Sequence, residues 1–223
     1  MNVLDASVYL QSRPRTTLGI MKLHSHPLSG NVHKVRLLLS ALGLAHDSVV
    51  VDLAAGAHRQ PEFLARNPRG QVPVLEDGDV LLHDAQAILV YLARRYAPGS
   101  PWLPDEPVAA VRVQRWLSIA AGEMKFGPAA ARFITVWRGP GDLAETHALA
   151  ARLFRFMEDQ LAIRAFLAGD QPTIADVSGY PYTVRAPEGR ISLDPYPHIR
   201  AWLARLEAIP GWTPMPVAPG PQG

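Results

Sequence analysis

Between Met21 and Tyr96 the apolar pattern changes period in an order that few small sheets can satisfy. Met21 to Ser25 is short and strand-like. Val32, Val35, Leu38, Leu39 and Leu42 then recur at helical spacing, and Gly43 follows as a left-handed helix stop. His46 to Leu53 carries the β-branched run SVVVDL, which reads as a second strand. Pro61 to Asn67 makes one or two helical turns that NPRG closes. Pro73 to Glu76 and Val80 to His83 flank EDGD as a hairpin, with Asp77-Gly78 at its turn. From Asp84, AQAILVYLARRY returns to helix.

The order β-α-β-α-β-β-α requires one crossover between parallel strands and an antiparallel closing hairpin. That is a mixed sheet needing helices on both faces, the thioredoxin-like arrangement. The segment APGSPWLPDEP, Ala97 to Pro107, then places four prolines where the helix would have to continue. Helical periodicity resumes beyond it, in Val108–Phe126, Pro128–Trp137, Leu143–Leu167, from Thr173 to Tyr180 and in His198–Ile209. The expected organisation is an N-terminal extension over 1–20, a thioredoxin-like domain over 21–97, a linker over 98–106 and an all-helical domain over 107–212. The ending PMPVAPGPQG is expected to fray.

Composition removes several functions. The chain has no cysteine, so disulfides, thiolate metal sites and a protein-thiol nucleophile are excluded. A net charge of +2 predicts no nucleic-acid partner, and the scattered basic residues read as solvated helix faces. No apolar run is long enough for a membrane span, which makes a soluble, cytoplasmic protein the expectation. His24 and His26 alternate along a strand and so face opposite ways; no metal is expected.

Three motifs carry chemistry. Ser29-Gly30-Asn31 sits at the start of the first helix, where unpaired amides and the dipole favour negative charge. Taken alone, Ser29 reads first as a plain N-cap. A thiolate placed there would have its pKa lowered, and since the chain has no thiol, the sulfur would have to arrive with a ligand. Pro73 opens a strand, so it is either an edge proline or a cis peptide that presents Val72 to a peptide-like ligand. Asp84 is a helix cap or, with the amides after it, part of a receptor for a carboxylate.

Taken in order, the Ser-x-Asn cluster followed by KVRLLL, then NPRGQVPVLEDG, LLHDAQAILVYL, the Pro-rich linker and an all-helical half resemble the glutathione transferase family. Thr173-Ile174-Ala175-Asp176 matches that family's structural capping box, and the ending from PYTVRAPEGR to IPGW looks like a bacterial branch. The resemblance implies glutathione as co-substrate and no metal. Ser29, six residues before Val35, would donate to the glutathione sulfur as in serine-type members, and Asn31 would add a contact as in nu-class-like members. Val72 would pair with the cysteinyl backbone, Pro73 would be cis, Gln71 and His58 would face the glycyl carboxylate, and Asp84 would take the γ-glutamyl ammonium. The family also implies a homodimer, a role in detoxification, and attack on an electrophile or a disulfide. Met124, Phe126, Arg132, Phe133 and Trp137 would line the second-substrate site.

One position departs from the pattern. Ala85 stands where the family usually has a serine whose hydroxyl holds the γ-glutamyl carboxylate. Losing a hydrogen bond to a charged group costs about 1.5–3 kcal/mol. This leaves a second expectation, a binding or assembly module of the same fold with weak glutathione affinity and no catalysis.

Overall fold

The computed structural model describes residues 20–219, so most of the expected extension over 1–20 lies outside the described residues. Strands β1 (Met21–Ser25), β2 (His46–Val50), β3 (Val74–Asp77) and β4 (Val80–His83) form one sheet in the order β2-β1-β3-β4. β1 runs parallel to β2, and β3 is antiparallel to both β1 and β4. Helices α1 (Gly30–Ala41) and α3 (Ala85–Tyr96) bury Val35, Leu38, Leu39, Ile88, Leu89 and Leu92 with Leu23 and Leu75 of the sheet. Each such side chain contributes about 1.5–3 kcal/mol. Short α2 (Pro61–Leu64) places Phe63 against Val51 and Val74 in a separate cluster.

Asp77 departs from its expected turn position. It pairs with Val80, so Gly78 and Asp79 make the turn, with Gly78 at φ 59°. The reason is that Asp77 is buried and accepts hydrogen bonds from the hydroxyls of Tyr91, at 2.8 Å, and Tyr96, at 2.5 Å. β2 stops at Val50, short of the expected Leu53.

The second half is helical: α4 (Pro107–Ala121), α5 (Ala130–Trp137), α6 (Leu143–Ala162), α7 (Ile174–Val184) and α8 (Pro197–Glu207). α4 ends earlier than its periodicity implied. Gly122, at φ −104° and ψ −97°, breaks it, and a π-helical stretch at Lys125–Ala129 accommodates Pro128 before α5. α6 ends at Ala162, and Thr173 and Asp176 form a reciprocal capping box at the start of α7. Asp176 is fully buried and also accepts from the Leu167 N–H and Trp202 Nε1, both at 2.9 Å. Burial pushes its carboxyl pKa up.

Two expectations are overturned here. The C-terminal segment does not fray where it is described: Met215 is buried, Thr213 accepts from His33 at 3.0 Å, Ala218 N–H donates to Glu188, and Arg185 donates to the Met215 carbonyl. Nor do all basic residues lie on solvated faces. Lys34 and Arg132 are 1% and 2% exposed.

Candidate active site

β1 ends, β3 begins and β4 ends at one edge of the sheet, which brings the β1–α1 loop, the turn before β3 and the start of α3 together. Asn31, Gln71, Val72, Pro73, Asp84 and Ala85 line one cavity there, with Asn67, Arg69 and His83. The sequence brought six of these residues forward; Asn67, Arg69 and His83 it did not. The polar Asn and Arg of NPRG were the available signal, read only as a turn.

Ser29 is the N-cap of α1, its Oγ accepting from the Val32 N–H at 3.3 Å. An oxygen used only as an acceptor leaves the hydroxyl proton free to donate outward. Ser29 is partly exposed and lies beside the cavity, not among its lining residues. Gly30 is required by a close approach: a Cβ would stand 2.6 Å from the Tyr182 ring. Asn31 is partly exposed, and its Oδ1 accepts from Lys34 Nζ at 2.9 Å. Burial lowers the Lys34 pKa to about 7, against the raising effect of Asp84.

The turn before β3 is held from within. Buried Asn67 donates through Nδ2 to the Gln71 carbonyl at 2.7 Å and accepts from the Arg69 N–H at 3.0 Å. Gly70 takes φ 58°, which favours glycine, and its missing Cβ would lie 3.0 Å from the His58 carbonyl. The Val72–Pro73 peptide is cis. The β1–β3 ladder ends with His24 opposite Val74, so Val72 lies beyond it at the cavity wall. His58 is in a 3-10 turn, Ala57–Arg59, behind Gly70 and outside the cavity lining.

Asp84 caps α3, accepting from the Gln86 N–H at 3.0 Å and the Ala87 N–H at 3.2 Å through Oδ1. Its other oxygen lies 3.9 Å from the Arg69 guanidinium. Its backbone sits at φ 79°, ψ 121°, a sparsely populated region for a residue with a Cβ. Strain of this kind costs about 1–3 kcal/mol and concentrates at ligand sites. Ala85 is buried against the cavity.

The residues expected around a second substrate separate. Met124 is 2% exposed and belongs to the core, so it offers no surface. Arg132 is equally buried, its Nε 2.7 Å from Glu188 and its Nη1 donating to the Leu28 carbonyl at 2.8 Å. It therefore presents no free charge to a substrate. Phe126 lines a different cavity of about 510 Å³ between α5 and α6, with Ala130, Ile134, Thr146 and Leu149. Phe133 and Trp137 are exposed, with ring centroids 6.4 Å apart, and the Arg132 guanidinium lies 4.8 Å from the Trp137 ring centre. The same Arg132 thus touches both the Trp137 ring and the loop that carries Ser29.

Among the described residues, no cluster of three or more His, Asp or Glu is placed to hold a metal. His24 instead lies 2.6 Å from Glu76, which also accepts from Arg66 at 3.2 Å. No helix among those residues is long and apolar enough to cross a membrane.

Comparison with known proteins gives a consistent result. A family model described as "Glutathione S-transferase, N-terminal domain" matches residues 20–94, and one described as "Glutathione S-transferase, C-terminal domain" matches residues 142–210. Glutathione S-transferase 3 of Zea mays is 35% identical over 86% of this chain and 91% of its own. A crystal structure of glutathione S-transferase from Pseudomonas fluorescens superposes with a TM-score of 0.83 at 34% identity, covering 88% of this chain and 99% of that one. A glutathione transferase homologue from Drosophila mojavensis, solved with bound glutathione, gives a TM-score of 0.79 at 26% identity over 87% of this chain and 90% of its own.

Proposed function

The chain belongs to the glutathione S-transferase family and is a glutathione transferase, and we propose that the cavity between α1, the turn before β3 and the start of α3 binds glutathione with its sulfur against Asn31 and Ser29. The observation that carries this reading is the convergence of Asn31, Gln71, Val72, Asp84 and Ala85, distant in sequence, on one cavity. The named transferases among its relatives weigh against a non-catalytic module.

The thiol loses its proton to solvent, and the sulfur anion is stabilised by the Ser29 hydroxyl, the Asn31 amide and the N-terminus of α1. The anion then attacks an electrophilic carbon, forming a thioether as the leaving group departs with the bonding electrons. With a disulfide substrate, attack at sulfur breaks the S–S bond, releases one thiolate and leaves a mixed disulfide; a second glutathione thiolate displaces the other thiolate and forms glutathione disulfide, since the protein has no thiol of its own. The Val72 backbone pairs with the cysteinyl segment as an added strand would. Gln71 faces the glycyl carboxylate, and His58, behind Gly70, acts at most through that turn. Asp84 takes the γ-glutamyl ammonium, while the amide after it and the α3 dipole hold the γ-glutamyl carboxylate.

The pairing of Ser29 with Asn31 supports a bacterial-branch reading that resembles serine-type and nu-class-like members. Phe133 and Trp137 offer the second substrate an exposed apolar surface, with Trp137 next to Arg132. The protein works as a homodimer in the cytoplasm, in the detoxification of small electrophiles.

Calorimetric titration with reduced glutathione near neutral pH tests the binding. The reading predicts a dissociation constant at or below about a millimolar, roughly 4 kcal/mol. No detectable heat at that concentration would contradict it.

A further inference from the structure

Lys34 is a buried lysine with no ion-pair partner among the described residues. It is 1% exposed, and its only hydrogen bond among the described residues is to the neutral amide of Asn31, at 2.9 Å. From α7, the Tyr182 ring stands 5.3 Å from Nζ; Asp84, at the start of α3, acts on it only through space. Tyr182 itself lies within the influence of Arg132, another cation. A buried charge held by one neutral partner is costly to stability, so a lysine on the inward face of α1 needs a reason.

An ammonium can only donate. With Lys34 protonated the Asn31 oxygen is held toward it, and the amide nitrogen with its two protons is left for an acceptor at the cavity that Asn31 lines. A neutral amine would release this constraint, because it accepts as well as donates.

We infer that Lys34 is a positioning residue: its ammonium fixes the Asn31 amide with the N–H groups facing the glutathione sulfur, and its charge stands behind that amide as partner to the thiolate. The inference rests on glutathione occupying this cavity. It explains the missing counter-charge, because the anion arrives with the substrate. Asn31 then transmits the charge as an oriented dipole. Burial lowers the Lys34 pKa to about 7, so Lys34 gains its proton more readily when the thiolate forms and by reciprocity makes the thiol easier to ionise.

The test is the pKa of protein-bound glutathione, read from the ultraviolet absorbance of the thiolate, in wild type, Lys34→Met, Lys34→Gln, Asn31→Ala and the Asn31→Ala, Lys34→Met double variant. Lys34→Met should raise the bound thiol pKa by about one unit. It should lower kcat/KM about tenfold at neutral pH, with recovery at higher pH. Calorimetric affinity for protonated glutathione at low pH should stay within about twofold of wild type. The double variant should shift the thiol by less than the sum of the two single shifts. Lys34→Gln, which can still donate to Asn31 but carries no charge, should fall between wild type and Lys34→Met, and decides the matter if Lys34→Met does not fold. A wild-type thiol pKa in both Lys34 variants, or full additivity with Asn31→Ala, would overturn the inference while leaving glutathione binding intact. Failure of the wild type to bind glutathione would instead overturn the reading beneath it.

Discussion

Arg132 donates to the carbonyl oxygen of Leu28 at 2.8 Å, so the residue directly before Ser29 is held by a helix from the other half of the chain. The same guanidinium lies 2.7 Å from Glu188, which is itself 3.6 Å from Arg185 and accepts from Ala218 N–H. The loop that delivers the Ser29 hydroxyl is thus fixed through a buried ion pair.

Replacing Arg132 with Met should therefore do two things. Glu188 loses its closest charged partner inside the protein, which should lower stability by about 3 kcal/mol in urea titrations. The freed loop should also reduce turnover more than glutathione affinity. A variant with wild-type stability and wild-type kcat would show that the clamp carries neither role.

Much of this arrangement was legible before any coordinates. The period changes from Met21 to Tyr96 fixed the order of strands and helices, because each element had only one partner layer able to cover its apolar side. Asn31, Gln71, Val72, Pro73, Asp84 and Ala85 were reached from motifs that sit at element boundaries, where local chemistry dictates position. Lys34 and Arg132 were not. Lys34 reads as solvent-facing in a helical run and Arg132 was expected as a charge at the second-substrate site, and only the packing of α7 and the Leu28 loop onto them reveals their burial. Met124 failed for the converse reason: an apolar residue looks the same in a core and in a pocket. The C-terminal segment, rich in proline, gave no periodic signal for the hydrogen bonds that dock it.

Ala85→Ser should tighten glutathione binding. The Ala85 side chain is buried against the cavity, so a hydroxyl there would face the γ-glutamyl carboxylate and supply a charge-assisted hydrogen bond. The expected gain is at least about tenfold in affinity, near 1.5 kcal/mol, by calorimetry. Equal affinities would mean that this carboxylate lies elsewhere.

Acid should lower the stability of the fold through His33. His33 is buried and donates through Nε2 to the Thr213 carbonyl at 3.0 Å, and burial lowers its pKa from 6.5 to about 4. Between those values the unfolded chain binds a proton that the folded chain refuses, so this contribution to stability is complete above 6.5 and is lost as pH falls toward 4. The loss at the acid end is about 3 kcal/mol. Urea unfolding at a series of pH values should show this slope, and His33→Gln should flatten it; an unchanged slope in the variant would place the acid sensitivity in other groups.

The thiolate site itself is tested by glutathione-dependent turnover in the Ser29→Ala, Asn31→Ala double variant, measured with an aromatic halide electrophile at neutral pH. Loss of the Ser29 cap should cost about 1 kcal/mol and leave a folded protein, which circular dichroism would establish. The account predicts that kcat/KM falls at least about a hundredfold, with glutathione still bound, because orientation survives while thiolate stabilisation is gone. Turnover equal to wild type in a folded, glutathione-binding variant would contradict it.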